Sequence, residues 1–325
     1  EEIWQLIYQN AYWRNGPVIN NALSGVDQAL WDIKGKVADL PLYELLGGRV
    51  RDGAVAYAHA DGRDPQEVLD SVLELQAQGL THARCQMGGY GGVRFDRARY
   101  AREVPALFDF LRSQLGFDVG LLHDVHERLA PIEAVRLAKE LEPYRLFFLE
   151  DPLPPEDQAW LAELRAQSAT PIALGELFTH PLEWRDAIVE RRLDFIRVHV
   201  SAIGGITPAR KLAALSEAFG VRTAFHGPGD VSPVGHAANV HLDVSLSNFG
   251  IQEFAGIPDV LREVFPGSPE LRGGVLYPGA GPGLGVELDE KLAARYPLTD
   301  DMAQFKDGVV EWTQSRLPDG SLFRP

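Results

Sequence analysis

Cysteine is almost absent from this chain: Cys85 is the only one in 325 residues. An internal disulfide is therefore excluded, and Cys85 lies in the strand-like run His82-Ala83-Arg84-Cys85-Gln86, which predicts a buried thiol without chemistry. Positive charge is also scarce, with 31 Lys and Arg against 46 Asp and Glu and a formal net charge of −15. Bulk electrostatics then disfavour a sequence-independent grip on nucleic-acid phosphates. Apolar runs stay short of the roughly 18 residues that a spanning helix needs, and Glu1 to Asn10 is not a basic-then-apolar export signal. The expectation is a cytoplasmic enzyme-sized protein with no nucleic-acid or membrane partner. The chain has no initial Met and opens inside an amphipathic pattern (Ile3, Trp4, Leu6, Ile7), so a further N-terminal segment is expected before it.

What is plentiful is alternation. Residues 1 to about 53 read as helical, with Ser24 as the cap of the periodic run Val26, Leu30, Ile33 and Val37, and a break at Leu46-Gly47-Gly48. From Val55 short apolar runs alternate with longer amphipathic ones. Strands are expected at 55–59, 83–86, 119–123, 146–149, 172–174, 195–200, 222–226 and 250–254. Helices are expected at 65–78, 95–114, 131–142, 155–167, 181–190, 207–219 and 234–246, with an eighth after the last strand. Eight strand–helix beats imply a parallel sheet closing into a (β/α)8-type TIM barrel over 54–255. A doubly wound open sheet is the competitor, but no Gly-x-Gly-x-x-Gly follows the first strand. The Gly/Pro-rich tail, 256–325, is expected to return to the N-terminal helices.

Three acids end successive strands: Asp124, Glu150 and Glu176, each 26 residues from the next. One strand–helix unit per interval places them at the C-terminal mouth, where barrel active sites sit. Singly, each acid reads as a cap or an ion-pair partner. Jointly, converging carboxylates repel one another unless a hard cation joins them, and an oxygen-only donor set suits Mg2+. A second set of side chains is basic or protic. His126 shares a face with Asp124 if the strand extends that far; Arg84 and Gln86 share one, as do Arg197 and His199, and His226 closes the seventh strand. A lone histidine is usually structural, but several at one mouth can bind an acidic, polyhydroxylated ligand and move its protons.

Around these residues the chain resembles the enolase superfamily, and within it the mannonate dehydratase subgroup, whose relatives include D-gluconate dehydratases and proteins described as starvation-sensing. The resemblance runs through Val26-Asp27-Gln28-Ala29-Leu30-Trp31-Asp32-Ile33-Lys34, Leu122-His123-Asp124-Val125-His126, Leu149-Glu150-Asp151-Pro152, Gly175-Glu176, Gly204-Gly205-Ile206-Thr207 and Asn248-Phe249-Gly250-Ile251-Gln252-Glu253. It implies an α+β capping domain formed by 1–53 and the tail, and a Mg2+ cofactor on Asp124, Glu150 and Glu176. It also implies His126 as the proton donor and Arg84 paired with a loop tyrosine as the base, for which Tyr90 in Gly-Gly-Tyr-Gly-Gly stands as candidate beside the reading of an aromatic in a glycine loop. Substrate contacts would fall on His59, Arg197, His226, Asp230, Glu253 and Trp312, and the protein would be a homo-oligomer, a tetramer or octamer. The implied reaction is dehydration of a C6 sugar acid of D-mannonate or D-gluconate type to a 2-keto-3-deoxy acid.

Two departures bear on that implication. The second barrel strand lacks the Lys-x-Lys of racemase-like relatives, and His226-Gly227-Pro228-Gly229-Asp230 carries Pro-Gly where efficient mannonate dehydratases usually carry Ala-Thr. The alternatives are a ligand-binding or regulatory barrel that keeps the metal but has lost efficient chemistry, and, ranked below it, an epimerase.

Overall fold

A computed structural model describes residues 1–88, 94–297 and 316–322 of the chain. The N-terminal elements are helices α1 (Glu2–Asn10), α2 (Pro17–Ala38) and α3 (Leu42–Leu45). The repeat then opens with β1 (Ala54–Gly62), α4 (Pro65–Ala77), β2 (His82–Met87), α5 (Arg97–Leu115), β3 (Gly120–Asp124), α6 (Pro131–Glu140), β4 (Phe148–Glu150) and α7 (Trp160–Gln167). It continues with β5 (Ile172–Leu174), α8 (Pro181–Val189), β6 (Phe195–Ile196), α9 (Ile206–Ala218), β7 (Arg222–Thr223), α10 (Pro233–Ser245), β8 (Gln252–Glu253) and α11 (Asp259–Val264). A short tail adds β9 (Glu270–Arg272), β10 (Val275–Tyr277) and α12 (Glu290–Ala293). Strand and helix alternate from β1–α4 to β8–α11, as the periodicity predicts. Two compact units contain these elements, the first 1–58, 78–80 and 173–294, the second 59–77, 81–172 and 295–325.

In the second unit β2, β3 and β4 pair in parallel, with His82 opposite Gly120, Leu122 opposite Phe148 and Asp124 opposite Glu150. Leu121, Leu122, Phe148 and Leu149 are fully buried, so these strands are apolar on both faces, as a parallel sheet covered on both sides requires. Cys85 is buried in β2, and desolvation holds its thiol pKa above the ordinary value, in keeping with an inert thiol. Beside it His123 donates from Nδ1 to the Cys85 carbonyl (2.9 Å) and its Nε2 lies 2.8 Å from the Tyr100 hydroxyl.

In the first unit β5, β6 and β7 are parallel, and β1 pairs in parallel with β8 (Ala56 opposite Gln252) and antiparallel with β10. Ala54, Ala56, Val240, Val244, Phe254 and Leu276 form a buried cluster there. Helix α2 crosses the start of α9, where Asp27 accepts from Thr207 N (2.9 Å) and from Thr207 Oγ1 (2.5 Å). It thereby caps α9 from outside the chain segment, supplying an acceptor to N–H groups that have none within the helix. Gly205, at φ +106°, makes room, because a Cβ there would lie 2.5 Å from Asp27 Oδ2. Trp4 Nε1 donates to Gly204 O and Trp31 Nε1 to Thr207 Oγ1, so the Asp27–Trp31 and Gly204–Thr207 motifs are two halves of one joint. The tail returns to the same helices: Leu42 N donates to Gly283 O (2.7 Å), Leu284 N to Asp32 Oδ1 (2.8 Å), and Lys36 pairs with Glu287.

Three local expectations are corrected. Ser24 is not a helix cap: α2 begins seven residues earlier at Pro17, whose locked φ suits the first helical position, and Ser24 Oγ instead accepts from Gln28 Nε2 inside the helix. The sixth, seventh and eighth strands are two residues long rather than five or six, because their ends turn into site loops. The fourth covers Phe148–Glu150 rather than 146–149.

Candidate functional site

Two clusters of charged side chains form at strand ends, one in each unit. In the second unit the register that sets Asp124 opposite Glu150 brings their carboxylates together at adjacent strand ends. Asp151, the next residue, has φ +36° and belongs to the same cluster: one carboxylate oxygen from each of Asp124, Glu150 and Asp151 lies within 4.8 Å of the others, and all three residues are buried. Among the described residues this is the group able to hold a metal ion. Its donors are all oxygen, which fits a hard divalent cation better than zinc.

Arg84, from β2, reaches the same carboxylates. Its Nη1 lies 3.1 Å from Asp124 Oδ2 and 3.4 Å from Glu150 Oε1, while Nη2 lies 3.2 Å from His59 Nδ1. Gln86, two residues on, donates to the Asp124 carbonyl at 2.9 Å, so the strand period does place Arg84 and Gln86 on one face. His126 arrives by another route. The strand ends at Asp124; His126 and Glu127 follow with φ of +54° and +58°, and the His126 N–H donates to Asp124 Oδ1 at 2.7 Å. That turn carries the ring back until Nε2 is 3.4 Å from Asp124 Oδ2. Two successive left-handed non-glycine residues are costly and cluster at functional sites.

In the first unit Arg197 is the organising group. Its side chain is fully buried, with Nη1 3.0 Å from Glu176 Oε2 and Nη2 2.7 Å from Glu253 Oε2. Glu253 Oε2 also accepts from Gly227 N (3.0 Å). His226 turns Nε2 toward Glu176 Oε2 (3.2 Å) and Glu253 Oε2 (3.8 Å), and its Nδ1 lies 2.9 Å from Nδ1 of His199. Burial holds His199 down to about 4 and lowers His226 as well. Asp230 is exposed in the turn closed by Val231 N to Pro228 O, and its charge opposes the lowering at both rings.

The structure thus brings Asp124, Glu150, Arg84, His126 and His59 together in one unit, and Glu176, Arg197, His226 and Glu253 in the other. Tyr90 and Trp312 lie outside the described residues. Asp151 and His199 have places that the sequence reading did not assign. The signal for Asp151 was the acid directly after Glu150; that for His199 was its alternation with Arg197. Among the described residues no helix is long and apolar enough to cross a membrane.

Comparisons with known proteins follow the same lines. A family model described as enolase C-terminal domain-like matches residues 68–292, and one described as the mandelate racemase/muconate lactonizing enzyme N-terminal domain matches residues 1–47. The D-galactonate dehydratase family member RspA of Pantoea ananatis is 51% identical, over all of this chain and 84% of the relative. A D-galactonate dehydratase family member from Enterocloster bolteae is 48% identical, over all of this chain and 83% of the relative. Among solved structures, an enolase from Pantoea ananatis with bound D-gluconate and magnesium superposes with a TM-score of 0.94 at 51% identity, covering all of this chain and 84% of that one. A mandelate racemase/muconate lactonizing enzyme from Jannaschia sp. CCS1 superposes with a TM-score of 0.82 at 29% identity, over 92% of this chain and 80% of that one. With acids, arginines and histidines standing at the strand ends of a (β/α)8-type barrel fold with an N-terminal cap, the chain belongs to the enolase superfamily of enzymes and, within it, to the D-galactonate dehydratase family.

Proposed function

We propose that the protein is a Mg2+-dependent dehydratase of a six-carbon sugar acid, of D-gluconate or D-mannonate type, forming a 2-keto-3-deoxy sugar acid. The observation that carries this reading is the pairing of Asp124 and Glu150 in register beside Arg84 and His126. It places an oxygen-only metal cluster, a guanidinium and a protic imidazole within one network. The neighbouring structure with bound D-gluconate and magnesium supports both the cofactor and the substrate class.

In this reading Asp124, Glu150 and Glu176 hold the cation, and the geometry adds Asp151 as a carboxylate close enough to contribute. A bound Mg2+ polarises the substrate carboxylate and stabilises charge at the adjacent carbon, worth several kcal/mol. Arg84 favours the phenolate of a loop tyrosine, with Tyr90 as candidate, because a neighbouring cation lowers a phenol pKa. That base takes the proton from C2. His126, anchored through its backbone N–H to Asp124, gives its ring proton to the departing 3-hydroxyl, which leaves as water, and the resulting enol becomes the 2-keto product. His59, Arg197, His226, Asp230, Glu253 and Trp312 are assigned to substrate contact, and the enzyme to a tetrameric or octameric homo-oligomer, which light scattering measures.

The test is a panel of hexonic and related sugar acids, with and without Mg2+, scored for 2-keto-3-deoxy product. Metal-dependent turnover on one or two stereoisomers supports the dehydratase and identifies its substrate. Saturable binding without conversion would replace this reading with the ligand-binding one. Glu176→Gln is expected to abolish turnover with the fold intact, and full activity in that variant would remove Glu176 from the ligand set.

A further inference from the structure

Helix α2 buries a polar stripe where a helix usually buries an apolar one. Six of its residues are buried, and four of them, Asn20, Ser24, Asp27 and Gln28, are polar and spaced to share one face. Asp27 is accounted for by the cap it gives to α9. Asn20, two turns earlier, reaches elsewhere: its Nδ2 lies 2.7 Å from Ala202 O and 2.9 Å from Thr179 O. Both partners are backbone carbonyls, which only accept, so the atom facing them is the NH2 and its two hydrogens are divided between them. An amide does not titrate, so this arrangement depends on no protonation state. Oδ1 of the same amide is buried with no hydrogen-bond partner among the described residues. A buried acceptor without a donor is costly, and an apolar side chain would fill the space at less cost, so the two donated bonds are what the amide supplies.

The two carbonyls belong to different site loops. Thr179 follows Glu176 in the loop after β5, where Phe178 N donates to Gly175 O (3.0 Å) and closes a turn around Glu176. Thr179 is gripped on its other side as well, its N–H donating to Glu183 Oε2 in the first turn of α8 (2.6 Å). Ala202 follows Arg197 in the loop after β6, inside turns closed by Ile203 N to His199 O (3.2 Å) and Gly205 N to Val200 O (2.8 Å). The two segments are already joined where they leave the strands, by Arg197 Nη1 and Glu176 Oε2 at 3.0 Å. Asn20 joins them a second time, farther along both loops. One bond leaves a pair of loops free to pivot; two bonds at separate points fix the angle between them, which is what a supporting side chain contributes to a site.

We propose that Asn20 is a positioning residue: its amide clamps the loop that carries Glu176 to the loop that follows Arg197, and so sets the orientation in which Glu176 is presented. The clamp itself stands apart from the dehydratase reading; its effect on Mg2+ rests on that reading, through Glu176 as a ligand. Asn20→Leu keeps bulk but no donor, and Asp27→Ala loosens the same face of α2 at α9 alone.

The deciding measurement is backbone hydrogen exchange of the intact protein with Mg2+, in the wild type and both variants. Asn20→Leu is expected to speed exchange about tenfold or more in segments 175–180 and 199–205 and to leave the body of α9 at its wild-type rate, whereas Asp27→Ala speeds the start of α9. In calorimetry Asn20→Leu is expected to weaken Mg2+ binding about tenfold or more, the scale of losing a partner that orients a metal ligand, and Asp27→Ala by less than about twofold. Unchanged exchange in both loops, or an equal loss of Mg2+ affinity in the two variants, would overturn the proposal. Glu176→Gln separates it from the dehydratase reading: if that variant binds Mg2+ as the wild type does, Glu176 leaves the ligand set and exchange alone decides the clamp. If Asn20→Leu does not fold, the wild type decides. There the Asn20 Nδ2 protons are expected to exchange at least about tenfold more slowly than those of the exposed Asn21 amide, and equal rates would overturn the clamp.

Discussion

Both units use an arginine to join carboxylates from different strands, and they use it differently. Arg84 lies beside acids that have already converged: Asp124, Glu150 and Asp151 present oxygens within 4.8 Å of one another. Arg197 lies between its acids and gives a separate nitrogen to each of Glu176 and Glu253. Convergence makes a place for a cation, since like charges that close are relieved only by positive charge among them. Bridging makes a rigid frame, since each carboxylate is tied by its own charge-assisted bond and Arg197 is fully buried. In one unit three acids converge; in the other two acids are held apart by a guanidinium, one of them Glu176, the third proposed cation ligand.

Replacing a converged acid should break that contrast most severely. Asp124→Asn is expected to cost at least about a thousandfold in turnover, the several kcal/mol that a metal supplies, and to erase any rise in Tm on adding Mg2+. Retained Mg2+-dependent stabilisation in that variant would show that the cation sits elsewhere. Next in size, Arg197→Met leaves two carboxylates without their shared buried cation and should destabilise by about 3–5 kcal/mol in chemical denaturation. The paired variant Arg84→Met sharpens the point: Mg2+ should restore much of its lost stability, at about 2.7 kcal/mol when the ion is at 100 times its Kd, and should restore less in Arg197→Met, where the ion can compensate Glu176 but not Glu253. Equal rescue of both would abolish the distinction between converging and bridging.

Smaller effects test the scaffold of the first unit. Asp27→Ala removes the external cap on α9 and should cost about 1–2 kcal/mol, read as a lowered Tm. Burial raises the Asp27 pKa, so its contribution is full below the ordinary carboxylate value and declines as pH rises through the raised one. Asp27→Asn should therefore lessen that decline. Smallest is His241, buried with its Nδ1 accepting from Tyr43 N (3.2 Å) and its Nε2 directed at Leu284 O (3.1 Å). Its pKa is pushed down to about 4, so its stabilisation is present above about 6.5 and is lost as pH falls through about 4. His241→Phe should lose about 1 kcal/mol at neutral pH and show a shallower acid decline, and an unchanged slope would remove His241 from that transition.

The alternation of strand and helix was legible because periodicity is a long-range average, robust to errors of a residue or two. Asp124 and Glu150 were legible because equal spacing across a repeat translates directly into neighbouring strand ends. What escaped was local. Ser24 looked like a cap because hydroxyls commonly cap helices, but Pro17 had already started the helix. Asp151 escaped because strand alternation points adjacent residues to opposite faces, and only a left-handed backbone at φ +36° sends both Glu150 and Asp151 to one cluster. His126 reached the expected neighbour by an unexpected path, a turn rather than two further residues of strand. For His199 the face was readable and the partner was not, since nothing in one strand states which ring stands on the next.

The turn at His126 has a consequence for how this protein can change. Asp124 offers one oxygen to the His126 backbone N–H and the other to the Arg84 guanidinium, with the imidazole nearby. Because the backbone itself grips the acid, Asp124 and His126 act as one part: substituting the acid lets go of the turn that carries the proposed proton donor. A change at Asp124 is therefore a change at His126 as well, whereas the turn at Pro228 is closed by its own backbone bond, Val231 N to Pro228 O.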